Sequence, residues 1–132
     1  MQDERSDGEV IVDVLFERGL LFLVVENTGD VPAHGVRVKF AERFSGAGGT
    51  RRLDRLALFR KLEFLAPHKR IEVFLDRSAA YLARDEPTRL TAAISWRTPA
   101  GARRTSSVEH DLEVYRDLAY IEREVPRRAS PA

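Results

Sequence analysis

The sequence predicts an all-β domain: a sandwich of about seven antiparallel strands, with one or two short helical turns in its connectors. Three observations predict it. Apolar residues recur at every second position through most of the apolar stretches. Turn-forming Gly, Pro, Asn and Asp residues separate those stretches at short intervals. No segment between them carries the long helical period that an α/β fold requires. The 132 residues, 43% hydrophobic and 33% charged, suffice for one domain with a buried core and a solvated surface.

The strand pattern starts at Glu9. In residues 9–17, EVIVDVLFE, the side chains of Val10, Val12, Val14 and Phe16 share one face. Arg18-Gly19 is a two-residue link suited to a hairpin. Residues 20–27, LLFLVVEN, are almost all apolar, as in a strand covered on both faces. The chain then turns. Asn27 tolerates left-handed backbone and bonds nearby amides, Gly29 admits positive φ, and Pro32 stops the ladder. This turn reads as a scaffold corner, with a ligand-binding loop as the other reading. In residues 36–41, Val36, Val38 and Phe40 point inward while Arg37 and Lys39 point outward.

The next stretch, FSGAGGT, reads as a flexible loop. It leads into RRLDRLALFR, where Leu53, Leu56 and Ala57 have helical spacing. LEFLAP is a short strand closed by Pro67. Residues 69–76 place Ile71, Val73 and Leu75 inward. DRSAAYLARDE suits one or two helical turns, with Asp76 or Ser78 as N-cap. Residues 88–97 put Leu90, Ala92, Ile94 and Trp96 on one face, with Trp96 in the core. Pro99 and Gly101 bend the chain, and residues 102–115 return with Val108, Leu112 and Val114 inward.

Composition narrows the chemistry. With no cysteine, disulfides, thiolate zinc sites and Cys nucleophiles are excluded. A net charge of +1 argues against wholesale nucleic-acid binding. The polar start Met1-Gln2-Asp3-Glu4 has neither the basic end nor the apolar stretch of a signal peptide, and no apolar run approaches the ~20 residues of a membrane helix. The expected compartment is therefore the cytoplasm. The expected organisation is a polar tail over 1–8, the sandwich over 9–118, and a partly disordered extension over 119–132.

The stretches LFLVVENTGDVPAHGVRVKF, LEFLAPHKRIEVFL and TAAISWRTPAGARR together resemble bacterial immunoglobulin-like sandwich domains of the CARDB (cell-adhesion-related) kind and their uncharacterised relatives. Val25, Asn27, Gly29, Ala33, Val36 and Val38 match that family's strand-and-turn pattern. Leu65 and Pro67 match its corner. The resemblance implies an immunoglobulin-like fold and an interaction or spacer role, and it brings no catalytic residues.

Site candidates are few. His34, His68 and His110 lack the spacing of metal ligands. His110 shares the parity of Val108 and Leu112, which marks it as a partly buried, hydrogen-bonded side chain. There is no Gly-x-Ser-x-Gly elbow, and SGAGGT lacks the Lys-Ser/Thr ending of a phosphate loop. No catalytic group, cofactor or metal is expected.

The basic set is the least ordinary feature. Arg51, Arg52, Arg55 and Arg60 lie in one connector beside Phe59, and Arg103-Arg104 follow a turn. These residues are either solvated surface or a partner site at the rim of the sandwich. The expected function is a non-enzymatic protein-interaction or structural module, acting through a sheet edge or this connector. The alternative is a nucleic-acid-associated accessory protein binding through the Arg clusters. Asn27, Gly29, Pro32, Pro67 and Gly101 are expected to make turns.

Overall fold

The structure, a computed structural model, describes residues 8–118. Most of the expected N-terminal tail and the whole C-terminal extension lie outside the described residues.

Seven strands form two antiparallel sheets. The chain runs through β1 (Val10–Glu17), β2 (Leu20–Asn27) and β3 (Ala33–Phe40), then two-residue strands β4 (Ser45–Gly46) and β5 (Arg51–Arg52). Helix α1 (Ala57–Lys61) leads into β6 (Leu62–Leu65) and β7 (Arg70–Arg77). Helix α2 (Ser78–Ala83) precedes β8 (Arg89–Arg97) and β9 (Arg103–Asp111). One sheet has the order β1-β2-β7 and the other β6-β3-β8-β9, while β4 and β5 pair with each other. The two larger sheets enclose one core, in which the alternating sets meet: Val10, Val12 and Val14; Leu21, Leu23 and Val25; Val36 and Val38; Leu90, Ala92, Ile94 and Trp96.

Local sequence explains each junction. Arg18 (φ 52°) and Gly19 (φ 78°) both take left-handed backbone, the requirement of the tight turn whose twist matches the flanking strands. Gly35 (φ 57°) sits where the β3–β8 register slips, and Arg97 lies over it so closely that a side chain there would collide with the guanidinium. The expectation that β2 is covered on both faces holds only at Val24, because Leu20, Phe22 and Glu26 on the same outer face are half-buried.

Several expectations need correction. Neither Asp76 nor Ser78 caps α2: Arg77 is the N-cap and no side chain bonds there. Asp76 bonds the amides of Arg77 (2.8 Å) and Gly48 instead. Val114 is not inward. β9 stops at Asp111, a 3-10 turn follows over Leu112–Tyr115, and Val114 is 63% exposed. Gly29 does not use positive φ. The glycine constrained at this corner is Gly8 (φ 57°), where a side chain would stand 2.5 Å from the Gly29 Cα.

Asn27 stays in extended backbone at the end of β2, and its fully buried amide ties down two corners. Its Nδ2 donates to the carbonyls of Val31 (2.9 Å), Leu65 (3.1 Å) and Ala66 (3.2 Å), while its Oδ1 accepts from the Gly29 amide (2.9 Å). This scaffold role extends to the corner beyond β6, where Pro67 lies. Pro32 immediately precedes β3, and Gly101 (φ 91°) makes the β8–β9 turn with its amide bonded to the Thr98 carbonyl.

Sheet edges are closed differently. The Thr28 amide bonds the Glu9 carbonyl, so odd-numbered β1 residues exchange bonds with β2 and even-numbered carbonyls face away. Side chains of β9 reach those carbonyls: Ser106 Oγ donates to Val10 (2.9 Å) and His110 Nε2 to Val12 (2.8 Å). His110 is therefore the half-buried, hydrogen-bonded residue its parity predicts.

Candidate functional site: a basic groove on the four-stranded sheet

Period-two alternation puts Arg37 and Lys39 of β3 on the outer face of the sheet. Register then places Arg37 beside Ser95 and Thr105, and Lys39 beside Ala93 and Ser107. These short side chains leave a low floor. Arg43, Arg52, Arg55 and Arg60 form a wall along one side of an open groove of about 1080 Å³. That volume lies just above the usual range of small-molecule sites and suits a longer segment.

The wall is held from below. Phe40 meets Phe44 (centroids 5.0 Å) and Phe59 (5.2 Å), both edge to face. Phe59 thereby anchors the five-residue α1 to the core. It was expected beside the arginines as a contact aromatic, but it is 1% exposed, because the helix has one apolar face and Phe59 is on it.

The charges divide by partner. Arg52 forks onto the buried Asp54 (2.9 and 3.1 Å), which also accepts from the Phe44 amide (3.3 Å). Burial pushes the Asp54 carboxyl up, but the Arg52 fork and the backbone amides pull it down by more, leaving it below its ordinary value. Arg37 pairs with Glu63 (2.9 Å). Glu42, on the groove wall, accepts from the Thr91 amide (2.8 Å). Lys39, Arg43, Arg55 and Arg60 have no ion-pair partner among the described residues. Four solvated cations above three hydroxyls make a surface for carboxylates or phosphates.

A second charged cluster lies behind the connector. Asp76, with its side chain 3% exposed, pairs with Arg84 (2.7 Å) and accepts from the Gly48 amide (3.1 and 3.2 Å). Arg84 also reaches Glu86 (3.6 Å) and donates to the Ser45 carbonyl (3.2 Å), and Glu86 accepts from the Ser45 amide (3.0 Å). Tyr81 donates to the Pro87 carbonyl (2.6 Å) beside them. Its phenol is pushed well above its ordinary value, chiefly by burial and next by Glu86. The segment expected to be a flexible loop is thus pinned at Ser45, Gly46 and Gly48. Gly46 in particular packs against the Leu75 backbone with no room for a side chain.

Of the expected site residues, the structure gathers Arg52, Arg55 and Arg60 on the groove. Arg51 is exposed on β5, and Arg103 and Arg104 are exposed at the start of β9, outside the lining. Lys39 and Arg43 were missed as site residues. The signal for Lys39 was its outward parity in β3. Among the described residues no group of three or more His, Asp or Glu side chains could hold a metal ion, and no helix is long and apolar enough to cross a membrane.

The fold and groove together define a β-sandwich domain with a basic outer sheet face. The chain belongs to the family described as Domain of unknown function (DUF8453), whose profile matches residues 1–116. No curated protein and no solved structure matches the chain.

Proposed function

We propose that this domain is a non-enzymatic interaction module of a bacterial protein, with an immunoglobulin-like sandwich, and that it holds an extended acidic segment of a partner protein in the basic groove. The observation that carries this reading is the set Lys39, Arg43, Arg55 and Arg60, without an ion-pair partner among the described residues and ranged along a floor of Ala93, Ser95, Thr105 and Ser107. The antiparallel sheet orders β1-β2-β7 and β6-β3-β8-β9, in which the chain crosses from one sheet to the other after β2, support the immunoglobulin-like assignment. A protein partner is favoured over single-stranded nucleic acid because the groove's aromatic neighbours, Phe40 and Phe59, are buried and offer no ring for base stacking.

The test is fluorescence anisotropy with an Asp/Glu-rich peptide and with a single-stranded oligonucleotide of equal charge. The peptide is expected to bind more tightly. Arg55→Glu with Arg60→Glu should weaken it at least tenfold, about 1.4 kcal/mol. Tighter binding of the oligonucleotide would replace this reading with the nucleic-acid one, and an unchanged affinity in the double variant would dismiss the groove.

A further inference from the structure

We propose that two copies of this chain pair through β9, antiparallel about a twofold axis at Ser107, joining their four-stranded sheets into one. The inference starts from the edges. β1 has two of its outward carbonyls, those of Val10 and Val12, taken by Ser106 and His110. The end of β7 is covered by the turn at Gly46–Gly48. β6 has only four residues. β9 has nine, pairs with β8 without a register shift, and carries no Pro, Gly or Lys to discourage addition of a strand.

The hydrogen-bonding parity is fixed. The bonds Thr98 N to Ala102 O and Leu112 N to Thr88 O flank the β8–β9 ladder, so even-numbered β9 residues bond β8. The amides and carbonyls of Arg103, Thr105, Ser107, Glu109 and Asp111 therefore face the sheet edge that no described strand occupies. A twofold through Ser107 pairs odd residues with odd ones: Ser107 with its own copy, Thr105 with Glu109, Arg103 with Asp111. This register makes roughly ten backbone hydrogen bonds.

The same register is self-complementary in charge. The odd side chains stand on the outer face, so each Arg103 comes directly opposite an Asp111 of the other copy, twice over, as an isologous interface requires. Among the described residues Asp111 meets one side-chain cation, Arg89, at 3.8 Å, a distance that leaves room for a second partner. Shifting the register by two residues would set Arg103 against Glu109 and leave Asp111 beyond the paired segment. The twofold at Ser107 is the register that uses both ends.

Equilibrium sedimentation across a hundredfold range of concentration, with circular dichroism as the control for folding, tests this. The wild type should show a reversible monomer–dimer equilibrium. Ser107→Pro removes an edge donor that β8 does not use, so it should stay folded and become monomeric. Arg103→Asp should weaken the dimer at least tenfold, and the exchange Arg103→Asp with Asp111→Arg should restore it. A wild type that remains monomeric at all concentrations overturns the proposal. So does a dimer that the Arg103→Asp variant leaves unchanged or that the charge exchange fails to restore. The peptide titration at the groove is read separately, on Arg55 and Arg60, so either idea can fail alone.

Discussion

Arg84 and Arg55 serve neighbouring parts of one connector, yet their surroundings are opposite. The Arg84 guanidinium is mostly buried, paired with Asp76 and Glu86, and bonded to the Ser45 carbonyl. Arg55 is exposed above the groove with no ion-pair partner among the described residues. The first cluster satisfies charge within the fold and fixes where the connector runs. The second leaves charge for something outside the fold to meet. What a cation does here is set by its partners and burial; residue type alone, which is all that a run of arginines shows, does not distinguish the two.

The largest effect should come from breaking the buried cluster. Arg84→Ala strands the Asp76 carboxylate, and urea unfolding at neutral pH should show a loss of about 3–5 kcal/mol. A loss below about 1 kcal/mol would mean that the amides of Gly48 and Arg77 suffice to hold that charge, and the contrast between the clusters would shrink.

Tyr81→Phe should cost about 1 kcal/mol, the typical net worth of one hydrogen bond. It also has a pH signature. The folded phenol keeps its proton to higher pH than an unfolded one. Its contribution is fully present below about pH 10 and is lost as pH rises from there toward the folded value. Stability measured from pH 8 to pH 11 should decline less steeply in Tyr81→Phe than in the wild type. Equal slopes would show that the phenol is not held in its neutral form.

Asp54 gives the opposite sign and a weaker signal, because its partner Arg52 is open to solvent. Its carboxyl is depressed, so the stabilisation is present above the ordinary carboxylate range and lost as pH falls through the folded value. Acid unfolding should be less steep in Arg52→Ala than in the wild type, and an unchanged acid limb would count against the fork. The smallest effect belongs to the groove. Arg55→Glu with Arg60→Glu should change stability by no more than about 0.5 kcal/mol while abolishing most of the peptide binding. A large loss of stability would move these arginines into the structural class.

The strands were legible because period-two alternation and turn residues are local signals. Val36-Arg37-Val38-Lys39-Phe40 announces its own two faces, and Arg18-Gly19 its own turn. The groove was only half legible. Alternation sends Lys39 outward, but its place beside Ser107 and near Arg60 depends on the order β6-β3-β8-β9, which no short window encodes. The misread ends have the same cause. Asp76 looks like a helix cap by position, yet Gly48, distant in sequence, and Arg84, at the far end of α2, claim it. Val114 continues the inward parity of β9, but the strand has already become a 3-10 turn. Gly29 matches a turn pattern, yet the glycine with no room for a side chain at that corner is Gly8, which packs against it from 21 residues away.

The Ser106–Val10 and His110–Val12 bonds join residues 96 and 98 positions apart. Among the hydrogen bonds of the described residues such contacts carry the largest loop-closure entropy, and they cannot form before β9 has been synthesised. The β1–β2 hairpin, closed by two residues, can form early, but its outer edge stays open until β9 arrives. Folding should therefore finish at this seam. In native-state hydrogen exchange, the seam should also be among the first places to open, separating first and last strands before either sheet comes apart.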